Sequence, residues 1–155
     1  MANPSIDSLL TDCNFERILN AQAPGSSGTV APAAAVDVSK YEAYMIMVSI
    51  GAIVSGGAAA FKLQHGDLAN GSDLADVEGS ALTPMADTDG NKMFLSEVIR
   101  PLKNYVLPVV TRSGANVTVE GMWLIGYGKR GVKPVTQGST VKSSKQLGSP
   151  LSGTP

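Results

Sequence analysis

Histidine and cysteine each occur once in the 155 residues. One cysteine rules out an internal disulfide. Cys13 sits in an apolar stretch and reads as a small buried hydrophobe. A reactive thiol needs surroundings that lower its pKa, and His65, the only imidazole, is distant in sequence. A zinc site would need Cys13 and carboxylates to converge on His65, and a nucleophilic triad would need a serine beside it. The spacing supports neither, so His65 reads as a surface or loop residue. Charge is also scarce. Asp, Glu, Lys and Arg make up 16% of the chain, against about 25% in typical soluble domains. Two readings fit the deficit: a partner covers part of the surface, or long Gly/Ser/Ala loops dilute the charge. Long hydrophobic runs are absent too. The longest apolar stretch, near Ala43 to Ala60, is broken by Ser and Gly and carries β-type residues, so it does not read as a membrane span. The N-terminus, MANPSIDSLL, lacks a basic segment followed by a long apolar one, so no signal peptide is expected. Synthesis in the cytoplasm follows as the expectation.

What remains describes a β protein. The length suits one domain with its own core. Gly (17) and Pro (9) are frequent and punctuate many short elements. Tyr44–Ile50 is a near-continuous apolar run of strand length. In Ala58–Gln64, Phe61 and Leu63 share one face and Lys62 and Gln64 the other, the alternation of a half-buried strand. Ala81–Met85 is a possible short strand. Asp89-Gly90 is a hairpin-type turn signal. In Lys92–Ile99, Met93, Leu95 and Glu97 lie on one side, Phe94 and Val98 on the other. Tyr105–Thr111 is apolar on both faces. Tyr105, Leu107 and Val109 form one face; Val106, Pro108 and Val110 form the other. Pro108 lacks an N–H, which predicts an edge strand or a bulge. Val117–Tyr127 is a long last strand with Gly121 as its bulge, Trp123 and Ile125 on one face, Met122 and Leu124 on the other. Seven or eight short strands at roughly 8–12-residue spacing predict an all-β, antiparallel β-sandwich or jelly roll.

The ends differ from this body. Ile6, Leu9, Leu10 and Cys13 follow helical spacing, so a short helix opening near Ser5 is expected, with Ile18 and Leu19 able to extend it. Residues 21–35 read as a linker. The expected division is an N-terminal arm and linker over 1–35, a β-sandwich domain over 36–135, and a flexible basic tail over 136–155. Net charge is −1 but uneven. Seven basic and thirteen acidic residues precede Lys129, a balance of −6, and from Lys129 onward there are five basic residues and no acid. Such a tail suits an acidic partner surface or nucleic acid, or is simply solvated.

Motif-like segments do not supply chemistry. Gly126-Tyr-Gly128-Lys-Arg-Gly131 matches the dinucleotide pattern G-x-G-x-x-G, but Val132-Lys133-Pro134 follows where a helix must begin. Asp67, Asp73, Asp76 and Glu78 crowd one loop. Placing Gly71 at the sixth position of an EF-hand loop puts Gly66 first and Val77 twelfth, where ligands are required. An irregular calcium site or a solvated acidic loop both remain. Asn70-Gly-Ser72 and Asn116-Val-Thr118 match the glycosylation acceptor and, without a signal peptide, mean only turn chemistry. Trp123 and Tyr127 could stack on a sugar or a base, but such residues are more often core or interface anchors. No catalytic residue, metal ligand or cofactor is expected.

The order VDVSKYEAYMIMVSIG, AAAFKLQHGD, a polar loop, NKMFLSEV, KNYVLPVVTRSG and a last strand ending GYGKRGVKPV resembles the capsid decoration, or cement, proteins of tailed-bacteriophage heads. The resemblance covers about residues 30–135. It implies a jelly-roll-like, non-enzymatic structural protein on the exterior of an icosahedral virion shell, clamping neighbouring major capsid protein subunits. It also implies clusters of copies, a homotrimer first and a dimer second, with no membrane and no direct nucleic-acid contact. The candidate contact residues are Ile6, Leu9, Leu10 and Phe15 of the arm, Tyr105, Leu107, Trp123 and Tyr127 of the body, and Lys129, Arg130 and Lys133 of the basic segment. Another phage virion part, such as a tail or head-completion protein, and a carbohydrate-binding module using Trp123 and Tyr127 are the rival readings.

Overall fold

The computed structural model describes residues 9–128 and 136–145. One helical turn, α1 (Leu9–Asp12), precedes ten strands: β1 (Cys13–Leu19), β2 (Gln22–Gly25), β3 (Gly28–Val30), β4 (Val36–Asp37), β5 (Ala43–Ile53), β6 (Ala58–Gly66), β7 (Ala75–Asp76), β8 (Met93–Ile99), β9 (Tyr105–Ser113) and β10 (Val117–Tyr127). They form two five-stranded sheets. The first has the order β1-β10-β5-β8, with β2 also on β10; the second has β3-β9-β6-β7, with β4 also on β9. Every pairing is antiparallel. This is the all-β sandwich that the strand spacing predicted.

The core follows from period-two alternation. Along β5, Tyr44, Ile46, Val48 and Ile50 are buried, while Met45, Met47 and Ser49 between them are only half-buried. Phe61 and Leu63 of β6, Val106 and Val110 of β9, and Met122 and Leu124 of β10 complete the inner layer. Phe61 and Phe94 stack across the two sheets, with ring centroids 5.4 Å apart. A buried aromatic of this kind is worth about 1.5–3 kcal/mol of transfer free energy. Gly121 is the expected bulge. The β10–β5 register shifts between Val119 and Gly121, and a Cβ there would lie 3.1 Å from the Leu19 carbonyl.

Several expectations are corrected. Among the described residues α-helix covers only Leu9–Asp12, and the expected opening near Ser5 lies outside them; Cys13–Leu19, where the helix was expected to continue, is a strand paired with β10 from Cys13↔Tyr127 to Leu19↔Met122. Pairing against a long strand outweighs a helical spacing that one turn already satisfies. The segment read as a linker holds β2 and β3, and carries the chain from the first sheet to the second. Ala81–Met85 is not a strand; Met85 makes a single bridge to Ala59. The turn at Asp89-Gly90 is a 3-10 turn over Asp87–Asp89 rather than a hairpin, because β8 pairs with β5.

Pro108 lies inside its sheet, not at an edge. β6 pairs with β9 along its whole length on one side, with Pro108 opposite Leu63. On the other side β3 takes Val110 to Arg112 and β4 takes Tyr105 and Val106. No strand of the described residues pairs with 107–109 on that side, and the missing N–H of Pro108 falls in that gap. The ladder therefore loses nothing to the proline.

Candidate functional site

The outer face of the first sheet is the most distinctive surface. Its pairing register lays side chains in rows across four strands. One row is Arg17, Trp123, Met47 and Leu95; the next is Phe15, Ile125, Met45 and Glu97. Met93 and Ile99 extend the face along β8. Met93, Leu95 and Ile99 are 54%, 50% and 68% exposed. Phe15, Met45, Met47, Trp123 and Ile125 are half-buried. An antiparallel sheet with one solvated face normally carries polar residues there. This one carries an aromatic, a Trp, three Met and branched aliphatics instead. Methionine is flexible and polarisable and suits adaptable contact surfaces.

Its polar groups are engaged with one another. The Arg17 guanidinium lies 5.4 Å from the centre of the Trp123 ring, a cation–π distance. The Tyr127 hydroxyl donates to Glu97 across β5. Desolvation, then the Glu97 hydrogen bond and charge, push the Tyr127 hydroxyl up to about 12.

One border of this face is built by the chain's return. Gln137 Oε1 accepts from Phe15 N at 2.9 Å, and Gln137 Nε2 donates to the carbonyls of Cys13 at 2.8 Å and Leu10 at 3.2 Å. Asn14 Nδ2 donates to the Thr136 carbonyl at 2.6 Å, Gly138 N to the Phe15 carbonyl at 3.2 Å, and Arg17 N to Thr140 Oγ1 at 2.7 Å. Residues 136–140 thus run along the free edge of β1. The sequence reading placed this stretch in the tail beyond the body. A low apolar content cannot reveal a segment held by hydrogen bonds to a strand edge.

The candidate contact residues fall in different places. Phe15, Trp123 and Tyr127 come together on the outer face of the first sheet. Tyr105 and Leu107 lie on β9, in the other sheet. Leu9 is 69% exposed on α1, and Leu10 beside it is half-buried. Ile6, Lys129, Arg130 and Lys133 lie outside the described residues. Sequence reasoning passed over Met45, Met47, Met93, Leu95, Ile99 and Ile125 as contacts. The signal was present in the unbroken apolarity of Tyr44–Ile50, which reads equally well as a strand buried on both faces.

The remaining candidates have structural roles. Asp73 accepts from the backbone N–H of Asp67 at 2.6 Å and of Leu68 at 3.2 Å, which lowers its pKa. Asp67 pairs with Lys103 at 2.6 Å and Asp76 with Lys62 at 2.7 Å. Among the described residues no group of three or more His, Cys, Asp or Glu could hold a metal ion. Burial, then the Asp12 charge beside it, pushes the Cys13 thiol up, the reverse of what activates a nucleophile. His65 lines a cleft of about 360 Å³ with Tyr44, Val77, Val98 and Leu102. Gly126 lies under the Tyr41 ring, where a Cβ would approach to 2.5 Å, and Gly128 (φ +68°) packs on Glu42. Packing explains both glycines without a nucleotide. Among the described residues no helix is long and apolar enough to cross a membrane.

No protein-family model matches the chain, and no curated protein matches it. Among solved structures, one of the Gx strain of infectious bursal disease virus overlaps 84% of this chain at 8% identity and a TM-score of 0.47. The VP2 subviral particle of infectious bursal disease virus overlaps 86% at 14% identity and a TM-score of 0.29. The chain spans 36% and 48% of the lengths of those two chains.

Proposed function

We propose that this protein is a non-enzymatic structural component of a virion, which binds the exterior of an icosahedral phage shell and cements neighbouring major capsid protein subunits. The observation that carries this reading is the apolar outer face of the first sheet. A face with Trp123, Ile125, Met45, Met47 and Leu95 in adjacent rows is costly to leave in water and suited to burial against protein. Each half-exposed Met, Leu or Ile still has roughly 1 kcal/mol of transfer free energy to gain on burial. Repeated over a lattice, modest contacts of this size give avidity. A subunit that binds assembled shell better than free protein also stabilises the shell by mass action.

On this reading the protein is made in the host cytoplasm and added to the capsid exterior, where copies cluster, in threes by the family resemblance. The carbohydrate-binding rival is weakened by Arg17, which already covers the Trp123 ring. A tail or head-completion protein differs in copy number. Quantifying this protein against the major capsid protein in purified particles tests the choice. Hundreds of copies per particle fit the cement role; a handful to a few dozen would assign it to a connector or tail instead.

A further inference from the structure

The sandwich protects its strand edges unequally. Exposed edges invite pairing with other chains, and proteins blunt them with short strands, proline, charge or covering segments. Three of the four edges here are treated in this way. Residues 136–140 cover β1. Among the described residues, the outer side of β9 carries only β3 and β4, three and two residues long. The two-residue β7 and the backbone bonds of Val77, Leu82 and Met85 cover β6. The fourth edge, β8, is seven residues long, lacks proline and, among the described residues, pairs only with β5.

The backbone polarity of β8 follows from the bonds at its two ends. The Lys92 carbonyl accepts from Ile50 N at 3.0 Å, and Arg100 N donates to the Glu42 carbonyl at 2.7 Å. Together with the register Phe94↔Val48, Ser96↔Ile46 and Val98↔Tyr44, even-numbered residues exchange hydrogen bonds with β5. The N–H and C=O groups of Met93, Leu95, Glu97 and Ile99 therefore point away from the sheet. No described residue bonds to them. The only charge on the strand, Glu97, is held back over the sheet by Tyr127, so it does not guard the edge.

We infer that β8 pairs antiparallel with β8 of a second copy of this chain, about a twofold axis at Ser96. The strand is self-complementary in this register. Met93 meets Ile99 of the other copy and Leu95 meets Glu97, all of them residues whose N–H and C=O face outward, so each pair exchanges two hydrogen bonds. The two Glu97 carboxylates avoid each other. The methionine and isoleucine ends, 54% and 68% exposed, bury one another, and the apolar faces of both copies join into one continuous surface. The chain's own segments outside the description suit this edge less well: residues 1–8, 129–135 and 146–155 each contain proline, which cannot complete a ladder. The pairing goes beyond the virion reading and does not depend on it.

The test is the mass of the full chain by light scattering across a concentration series, with three variants. Wild type should shift from monomer to dimer with concentration. Leu95→Pro removes an outward N–H and no bond to β5, so it should keep the native circular dichroism spectrum and lose the dimer. Ser96→Cys places two thiols across the axis in a non-hydrogen-bonded pair, with Cα atoms about 4.5 Å apart, inside disulfide range. It should give a covalent dimer under mild oxidation. Met93→Cys, separated from its own copy by roughly 20 Å in this register, should not. A wild type that stays monomeric throughout, a dimer indifferent to Leu95→Pro, or equal crosslinking of the Ser96→Cys and Met93→Cys variants would overturn the inference.

Discussion

Gln137 makes three hydrogen bonds to the edge of β1, one to Phe15 N and two to the carbonyls of Cys13 and Leu10. Replacing it with alanine removes all three. Each is worth about 0.5–1.5 kcal/mol net. Water can reach this partly buried edge and recovers some of that, so the expected cost is about 1–3 kcal/mol. For a chain of this size, 1 kcal/mol corresponds to roughly 2–4 °C in Tm, which puts the shift at several degrees. Thermal and urea melts of Gln137→Ala measure the total, and amide exchange locates it. Phe15 N and Arg17 N, which donate to Gln137 and Thr140, should lose protection, while amides in β5 and β10 lose only what the global change requires. Removing residues 146–155 should leave both amides protected, whereas removing 136–155 should expose them. The returning segment thus belongs to the body, and the tail that can be cut away begins later than residue 136. An unchanged melt together with unchanged β1 exchange in Gln137→Ala would refute the clamp.

Other consequences are as concrete. Phe61→Ala should cost about 3–5 kcal/mol, because Phe61 is 2% exposed and stacks on Phe94; an equilibrium urea melt reads this directly. Gly66→Ala should destabilise by about 1–3 kcal/mol, since the new Cβ would sit 2.4 Å from Asp73 Oδ1 and displace the carboxylate that caps Asp67 and Leu68; a thermal melt checks it. Tyr41, Tyr44 and Tyr127 are pushed from 10.0 up to about 12, by burial first in each case. The folded state prefers their neutral forms, so their stabilisation is fully present below pH 10 and is lost as pH rises towards 12. Phenolate absorbance should show three tyrosines titrating late in the native protein and at ordinary pH in urea; ordinary titration of all of them without unfolding would contradict the burial.

The sandwich was legible because it rests on alternation. Phe61 against Lys62, and Met122 against Trp123, announce which side faces the core. The inward set of β5 was hidden inside an unbroken run, since Met45 and Met47 look like core residues in sequence and only the pairing register puts them outside. The start of the chain was misread for a related reason. Helical spacing of Leu9, Leu10 and Cys13 is a local signal, and the partner that makes Cys13–Leu19 a strand lies more than a hundred residues away. Gln137 and Thr140 gave no signal at all, because the chemistry that holds them is backbone hydrogen bonding at an edge. Pro108 was read correctly as a residue that cannot donate to a ladder, but a gap between two short neighbouring strands serves it as well as a sheet edge.

On the proposed reading, the apolar outer face of the first sheet binds the capsid. Met47 stands in the middle of that face, between Trp123 and Leu95, and outside the β8 edge. The direct measurement is the occupancy of Met47→Lys on purified phage heads by co-sedimentation, with the wild type as reference and native circular dichroism as the control for folding. A lysine there must bury a charge in the contact, so occupancy should fall at least about tenfold, the equivalent of 1.4 kcal/mol. Equal occupancy of a folded Met47→Lys variant would contradict binding through this face.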